Sequence, residues 1–449
     1  LKDSILDALG LLPDFGNFFA TIAAFVVVLS IIVAVHEYGH YIVGRWSGIH
    51  ADVFSIGFGP VLAQRTDKRG TVWQFAAIPL GGYVKFAGDS GATSGKDDGA
   101  MSGLSAAERR RTMHGAPLWA RAATVAAGPV FNFIFAFVVF AGLIVYEGIA
   151  VDEPVVGEIT ELPAAPFQLQ QGDRILAVGG IQTETLSDFL GSAQDLPAQA
   201  VLDYTVLRDG REMQVTGPHP MPPLAGSVAM QSAARDAQMQ PGDVILSING
   251  DQIATFNQLR DKVAASEGAP LDLTVWRGGD ELALTLEPRS TDLPLPGGGF
   301  ETRYLIGLTS GAVFEYGTRS PGVVETVTIA AGQLWTITRT SIEGLYYMIV
   351  GQISTCNLSS PIGIAEASVA KASDGLVEFI WFLGVISVAI GFLNLFPIPP
   401  LDGGHLMFHA YEAVARRPAN DQAVRVLMTL GMALVLTLFL FALFNDLTC

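Results

Sequence analysis

Half of this 449-residue chain is hydrophobic and only 15% is charged, which excludes an ordinary soluble protein and points to a membrane one. The length allows two to four domains. A formal charge of −17 argues against nucleic-acid binding, and two cysteines, Cys356 and Cys449, are too few for a disulfide scaffold or a thiolate metal site.

Four apolar stretches are long enough to cross hydrocarbon, which takes about 20 residues. They run from Phe18 to Val35, Ala122 to Val145, Phe379 to Phe396 and Leu427 to Phe444. The first contains no charge and ends in His36-Glu37-Tyr38-Gly39-His40. It carries that motif where a signal peptide would carry a cleavage site, so it is expected to stay in the mature protein. On a helix the two histidines project from one face and can share a zinc ion. Glu37 beside them can accept a proton from metal-bound water.

The stretch from His36 to Arg121 holds ten Lys/Arg, and Arg416, Arg417 and Arg425 lie between the third and fourth spans. Residues 148–375 hold twelve basic against twenty-seven acidic residues. The positive-inside rule therefore places the basic loops in the cytoplasm, with the acidic region and both termini outside.

After the motif, Phe54 to Phe58, Val72 to Ala77 and Tyr83 to Phe86 read as strands, with a hairpin turn at Asp67 to Gly70. Gly57, Gly59, Gly81 and Gly82 let these strands bend or approach another backbone. Such a sheet beside a hydrolytic centre offers a docking edge for an extended peptide, or it is a structural loop at the membrane surface. Residues 90–100 read as mobile, and Ser105 to Arg111 as a short interfacial helix.

Two segments, QGDRILAVGG from Gln171 and PGDVILSING from Pro241, repeat 70 residues apart. Each precedes a helix-like stretch and a strand pair, turning at Asp209–Gly210 and at Gly278–Gly279. The pattern is that of tandem PDZ domains, β-rich modules that add a peptide strand to an open edge. Peptide recognition, size exclusion and gating are all open. Ser320 to Ser354 reads as an amphipathic helix with Trp335, Tyr346, Tyr347 and Met348 at a membrane interface.

A catalytic zinc takes a third protein ligand. Asp402 is the one acid in the apolar, Pro-rich NLFPIPPLDGGH, from Asn394 to His405. A lone carboxylate there is costly unless it is paired or metal-bound. The first and third spans run the same way, so the motif and Asp402 reach one depth. His405, His409 and Asp52 are the competing ligands. Asn394, Pro397 and Pro399 break the third helix and free backbone groups that an extended substrate can use. Asn132 in the second span braces the centre, touches substrate or packs helices.

Together HEYGH, GFGP at 57–60, PLGGYVKFAGD at 79–89, GPVFNF at 128–133, SSPIGIA at 359–365 and NLFPIPPLDGGH resemble the site-2 protease family of intramembrane zinc metalloproteases. The likeness covers essentially the whole chain, with the motifs in matching order. It implies zinc on His36, His40 and Asp402, with Glu37 as general base. It also implies a membrane-reentrant β-hairpin near 53–86 that presents substrate as a strand, and Asn394 on the substrate backbone. The substrate would be a single-span membrane protein such as an anti-sigma factor after a first periplasmic cut, or a remnant signal peptide. The PDZ pair would be a periplasmic size filter, and the membrane a bacterial inner one.

The fold expected is a polytopic α-helical membrane protein with four transmembrane helices, the reentrant hairpin or sheet, and two tandem periplasmic PDZ domains. The first span with HExxH would occupy 1–50, the hairpin loop and interfacial helix 51–121, and the second span 122–147. The PDZ domains would occupy 148–219 and 220–290, followed by a linker with the amphipathic helix at 291–375. The third span with the LDG motif would be 376–410, and the last loop and span 411–449. The alternative is a zinc-binding receptor or transporter without proteolytic activity. Four spans without inverted-repeat symmetry argue against transport.

Overall fold

The computed structural model describes residues 15–89, 104–163, 167–229, 232–294, 300–353 and 360–448. Cys356, Cys449 and the 90–100 stretch lie outside the described residues. The chain divides into two compact units, one running to Ile144 and resuming at Val323, the other from Val145 to Gly322.

Helix α1 (Phe15–Trp46) outlasts the apolar run because the motif continues in helical geometry. Arg45 in its last turn complements the helix dipole. Strands β1 (Ala51–Thr66) and β2 (Val72–Phe86) then form an antiparallel hairpin. Both strands bend, so their pairing is doubled. The Val53–Ile56 row faces Lys85–Gly82 on one side and Val72–Phe75 on the other. The Val72–Phe75 row in turn faces Thr66–Ala63. The bend in β1 falls at Gly57 and Gly59, with φ of +95° and +82°, which side chains other than hydrogen rarely allow. Three rows match the expected strands; the row at 63–66 was not foreseen.

Helix α2 (Ala106–Arg110) is closed by a Ser105–Glu108 capping box. Helix α3 (Leu118–Glu147) packs closely on α1, since a Cβ at Gly39 would lie 2.5 Å from the Ala127 carbonyl oxygen.

In the second unit, β3 (Ile149–Ala150) and β4 (Val156–Ile159) lead into β5 (Arg174–Val178) and β6 (Ile181–Gln182). Helix α4 (Leu186–Ser192) and the pair β7 (Val201–Arg208) and β8 (Arg211–Pro218) follow. The second copy has β9 (Ala225–Val228), α5 (Ala233–Asp236), β10 (Val244–Ile248) and β11 (Asp251–Gln252). It continues with α6 (Phe256–Ala265), β12 (Leu271–Arg277) and β13 (Asp280–Leu286). The sheet orders are equivalent, β6-β5-β7-β8 and β11-β10-β12-β13. The repeated Gly-Asp has a physical reason. Asp173 and Asp243 are buried, and each receives an arginine from the same strand position, Arg208 Nε and Arg277 Nε, both at 2.6 Å.

The stretch expected to be linker does more. β14 (Arg289–Pro294) and β15 (Phe300–Leu305) pair with each other. β16 (Leu308–Ser310) then adds to β9 of the second copy, and β17 (Phe314–Tyr316) adds to β4 of the first. Finally β18 (Thr318–Arg319) meets β3. Val313 and Phe314 are fully buried in the first copy's core with Phe189 and Tyr204, while Ile306 joins the second core. The repeat unit therefore ends at Gly322 rather than at 290.

The first unit resumes with α7 (Val323–Ile349), α8 (Pro361–Asp374) and α9 (Leu376–Asn394). Helices α10 (Asp402–Ala415) and α11 (Asp421–Thr448) complete it. Val28 and Ile32 of α1 pack with Phe382 and Leu383 of α9. Among the described residues four helices are long and apolar enough to cross a membrane: Phe19–Trp46, Leu118–Glu147, Leu376–Asn394 and Asp421–Asn445. The third stops at Asn394, short of Phe396, where the turn carrying Pro397, Pro399 and Pro400 begins.

Candidate metal centre

Helix α1 sets the His36 and His40 rings edge to face, with Nε2 atoms 3.1 Å apart. Asp402 opens α10, and its Oδ2 lies 3.0 Å from His36 Nε2 and 3.4 Å from His40 Nε2. Among the described residues, these three make the one His/Cys/Asp/Glu group whose ligand atoms all lie within 4.8 Å. A tetrahedral zinc with bonds of about 2.0–2.1 Å separates its ligands by about 3.3 Å. The three observed separations bracket that value, and Asp402 Oδ2 is buried without a hydrogen-bond partner. The donor set fits zinc. The competing residues do not converge: Asp52 sits 3.7 Å from His50, and His405 and His409 line the cavity outside the group.

The outer nitrogens of the histidines are held. His40 Nδ1 lies 2.8 Å from the Thr124 carbonyl oxygen, so an N–H there donates and Nε2 keeps its lone pair inward. His36 Nδ1 lies 3.3 Å from Asn132 Nδ2, while the buried Asn132 Oδ1 has no partner. Turning that amide over brings Oδ1 to an Nδ1–H of His36 and satisfies both groups. Ser387 fastens the same turn of α3 from α9, its Oγ donating to the Asn132 carbonyl at 3.0 Å.

A cavity of about 440 Å³ opens on His36, His40, Asp402 and Glu37. Gly82 of β2 lines it beside Glu37; a Cβ there would lie 3.4 Å from Glu37 Cγ and 2.7 Å from the Ser55 carbonyl oxygen. Asn394 also lines it, with its Nδ2 donating to the Ile390 carbonyl of its own helix at 3.1 Å. The other residues expected to meet substrate lie elsewhere. Gly57 and Gly59 form the bend in β1, and Gly81 packs under the Phe58 ring. Pro399 braces Gly404 and Gly431, and Pro397 lies in the turn before α10 without lining the cavity. Asn132 faces His36 instead of the cavity, because its turn of α3 is packed against α1 and α9.

Sequence reasoning passed over three supports. On α3, Thr124 abuts His40, and Gly128 abuts both His36 and His40. Arg121, read only as loop charge, grips Glu412 of α10 through two bonds of 3.0 and 2.7 Å. That clamp ties the helix bearing Asp402 to α3.

Residues 24–438 match the model of peptidase family M50. A protein of Agrobacterium fabrum named as a candidate zinc metalloprotease is 36% identical over 99% of both chains. The regulator of sigma-E protease RseP of Salmonella typhimurium is 33% identical over 95% of this chain and 98% of its own. A Vibrio cholerae protein, also named as a candidate zinc metalloprotease, is 32% identical over 95% of this chain and 98% of its own. These matches set aside a receptor or transporter without proteolytic activity. The chain belongs to peptidase family M50, the site-2 proteases, and is a membrane-spanning zinc metalloprotease.

Proposed function

We propose that this enzyme hydrolyses peptide bonds inside the membrane-spanning segments of single-span proteins, with His36, His40 and Asp402 holding zinc and Glu37 as general base. The carrying observation is that the three ligand atoms converge where α1, an apolar span, meets the start of α10 just beyond another span. When bound, zinc supplies a Lewis acid and lowers the pKa of its water. Glu37 takes a proton from the attacking water as its oxygen bonds to the scissile carbonyl carbon. The same carboxyl then returns the proton to the amide nitrogen as the C–N bond breaks.

A helical substrate hides its carbonyls in its own hydrogen bonds, so the reacting segment must be extended. The Gly82–Phe86 row of β2 borders the cavity and is paired on one side within its sheet, which suits strand addition. Asn394 then exchanges its bond to Ile390 for one to the substrate backbone. Val61, Leu62, Phe75 and Ile78 are exposed on the hairpin, which supports a membrane-reentrant reading. The basic loops face the cytoplasm of a bacterial inner membrane on this reading. The repeated modules are then periplasmic PDZ domains acting as a size filter. An anti-sigma factor trimmed by a first cut, and remnant signal peptides, are the substrates that the likeness to RseP supports.

The test uses the purified full chain in lipid vesicles with one apolar span carrying either a short tail or a folded domain. The short-tailed substrate should be cut within its span, and the folded one much more slowly. Equal cleavage of an unfolded soluble protein would contradict the proposal.

A further inference from the structure

On α1 the residues Val33, Glu37, Tyr41 and Arg45 follow one another at helical spacing, so they share one stripe of the helix. The hairpin lies along that stripe. At one end Gly82 of β2 abuts it, since a Cβ there would lie 3.1 Å from Val33 Cγ1 and 3.4 Å from Glu37 Cγ. In the middle the buried Tyr41 ring meets the Phe54 and Trp73 rings edge to face, at centroid distances of 5.7 and 5.0 Å. At the other end stands Asp67, in the turn between β1 and β2. Its Oδ1 accepts from the Arg69 and Thr71 backbone N–H groups at 2.8 and 3.0 Å, which holds the turn. Its Oδ2 accepts from Arg45 Nη1 and the Tyr41 hydroxyl, both at 3.2 Å, and from Trp73 Nε1 at 3.5 Å. The Arg45 and Asp67 side chains are only 14% and 27% exposed, so this is not a solvated surface pair. One oxygen of a single carboxylate thus serves the turn, and the other grips the helix that carries Glu37.

We infer that Asp67 is a positioning residue for the hydrolysis: held by Arg45 and Tyr41, it fixes the hairpin in register along α1, so that the Gly82–Phe86 row presents the scissile carbonyl at the level of Glu37. The inference rests on the strand-addition reading above and adds what sets the register. Apolar ring contacts resist separation of hairpin and helix but not sliding, because burial has no preferred direction. Charge-assisted hydrogen bonds have one, and these stand about 12 Å along the helix from Glu37, at about 1.5 Å per residue. A tie at that distance touches no reacting atom and acts only through the strand it places.

The experiment replaces Asp67 by Asn in the purified full chain and measures cleavage of a short single-span peptide in lipid vesicles, with the cuts located by mass spectrometry. Asn keeps an oxygen for the Arg69 and Thr71 N–H groups but sets an NH₂ against the Arg45 and Tyr41 donors, so the turn survives and the tie breaks. The kcat should fall about tenfold or more with KM within about twofold, because the edge still pairs with substrate but holds its carbonyl about 1 Å astray. A second cut should appear two residues from the first, since alternate residues of a strand face the same way. Zinc content should not change. Arg45→Gln should show the same fall, and the double variant should fall no further than either single one. If Asp67→Asn does not fold, Tyr41→Phe, which removes one donor and keeps the ring, should show a smaller fall and the same second cut. An unchanged kcat with a single cut in Asp67→Asn would overturn the inference. So would loss of KM and kcat together with a lowered Tm, the mark of a turn that serves folding alone. If the unaltered chain made no cut within the span, the reading on which the inference rests would fall, and the inference with it.

Discussion

At Gly128 a single methyl group would close the metal centre. A Cβ there would lie 2.3 Å from His40 Nε2 and 2.7 Å from His36 Nε2, with no flexible neighbour to yield. The centre thus depends on side chains that are absent as much as on those present. Asn132 reaches His36 from behind with its amide. Replacing Asn132 by Leu should weaken zinc binding about 10–100-fold, measured by competition with a chelator. Unchanged zinc affinity would mean that Asn132 does not orient His36. That His36 and His40 share one face was legible because two histidines four apart on a helix project the same way. Asn132 was not, since a polar residue in an apolar helix does not say which neighbour it faces.

Among the elements, the two repeats show what sequence pattern carries and what it misses. The turns at Asp209–Gly210 and Gly278–Gly279 have positive φ at both positions, as the short hairpin loops require. Burial alone would push the Asp173 carboxyl up, but the hydrogen bonds from Arg208 and from the Gln170 N–H outweigh it and hold the carboxyl below its usual range. A depressed carboxyl contributes stability in full above about pH 4 and loses it as pH falls further. Arg208→Ala should therefore destabilise the first repeat by about 3 kcal/mol at pH 7. Hydrogen exchange across Val201–Pro218 should report that loss, and the difference from the unaltered chain should shrink near pH 3. Strand β17 escaped notice because three residues are too short to show a period, whereas YLIGLTSG, Tyr304 to Gly311, reads as the end of a strand layer and holds β16. Phe314 is fully buried, so Phe314→Ala should cost about 3–5 kcal/mol. The exchange protection lost should be that of Arg174–Pro218, although Phe314 follows the second repeat. A loss confined to residues 291–319 would restore the linker reading.

On the scale of the whole molecule, the centre joins the two ends of the chain. His36 and His40 come from the first span, and Asp402 comes from the start of α10 after the third. The spans were legible because about 20 apolar residues in a row have few alternatives. That Asp402 meets His36 and His40 was legible because spans one and three run the same way and a lone acid in an apolar stretch is costly unless it is paired or metal-bound. The clamp that fixes α10, Arg121 to Glu412, was not, because either charge alone reads as solvated loop or helix surface. The most direct test is the zinc content and peptide cleavage of the purified Glu37→Gln chain. One zinc per chain with no cut in a single-span peptide is the result expected of a general base that is not a ligand. Cleavage at the unaltered rate with zinc in place would contradict the account.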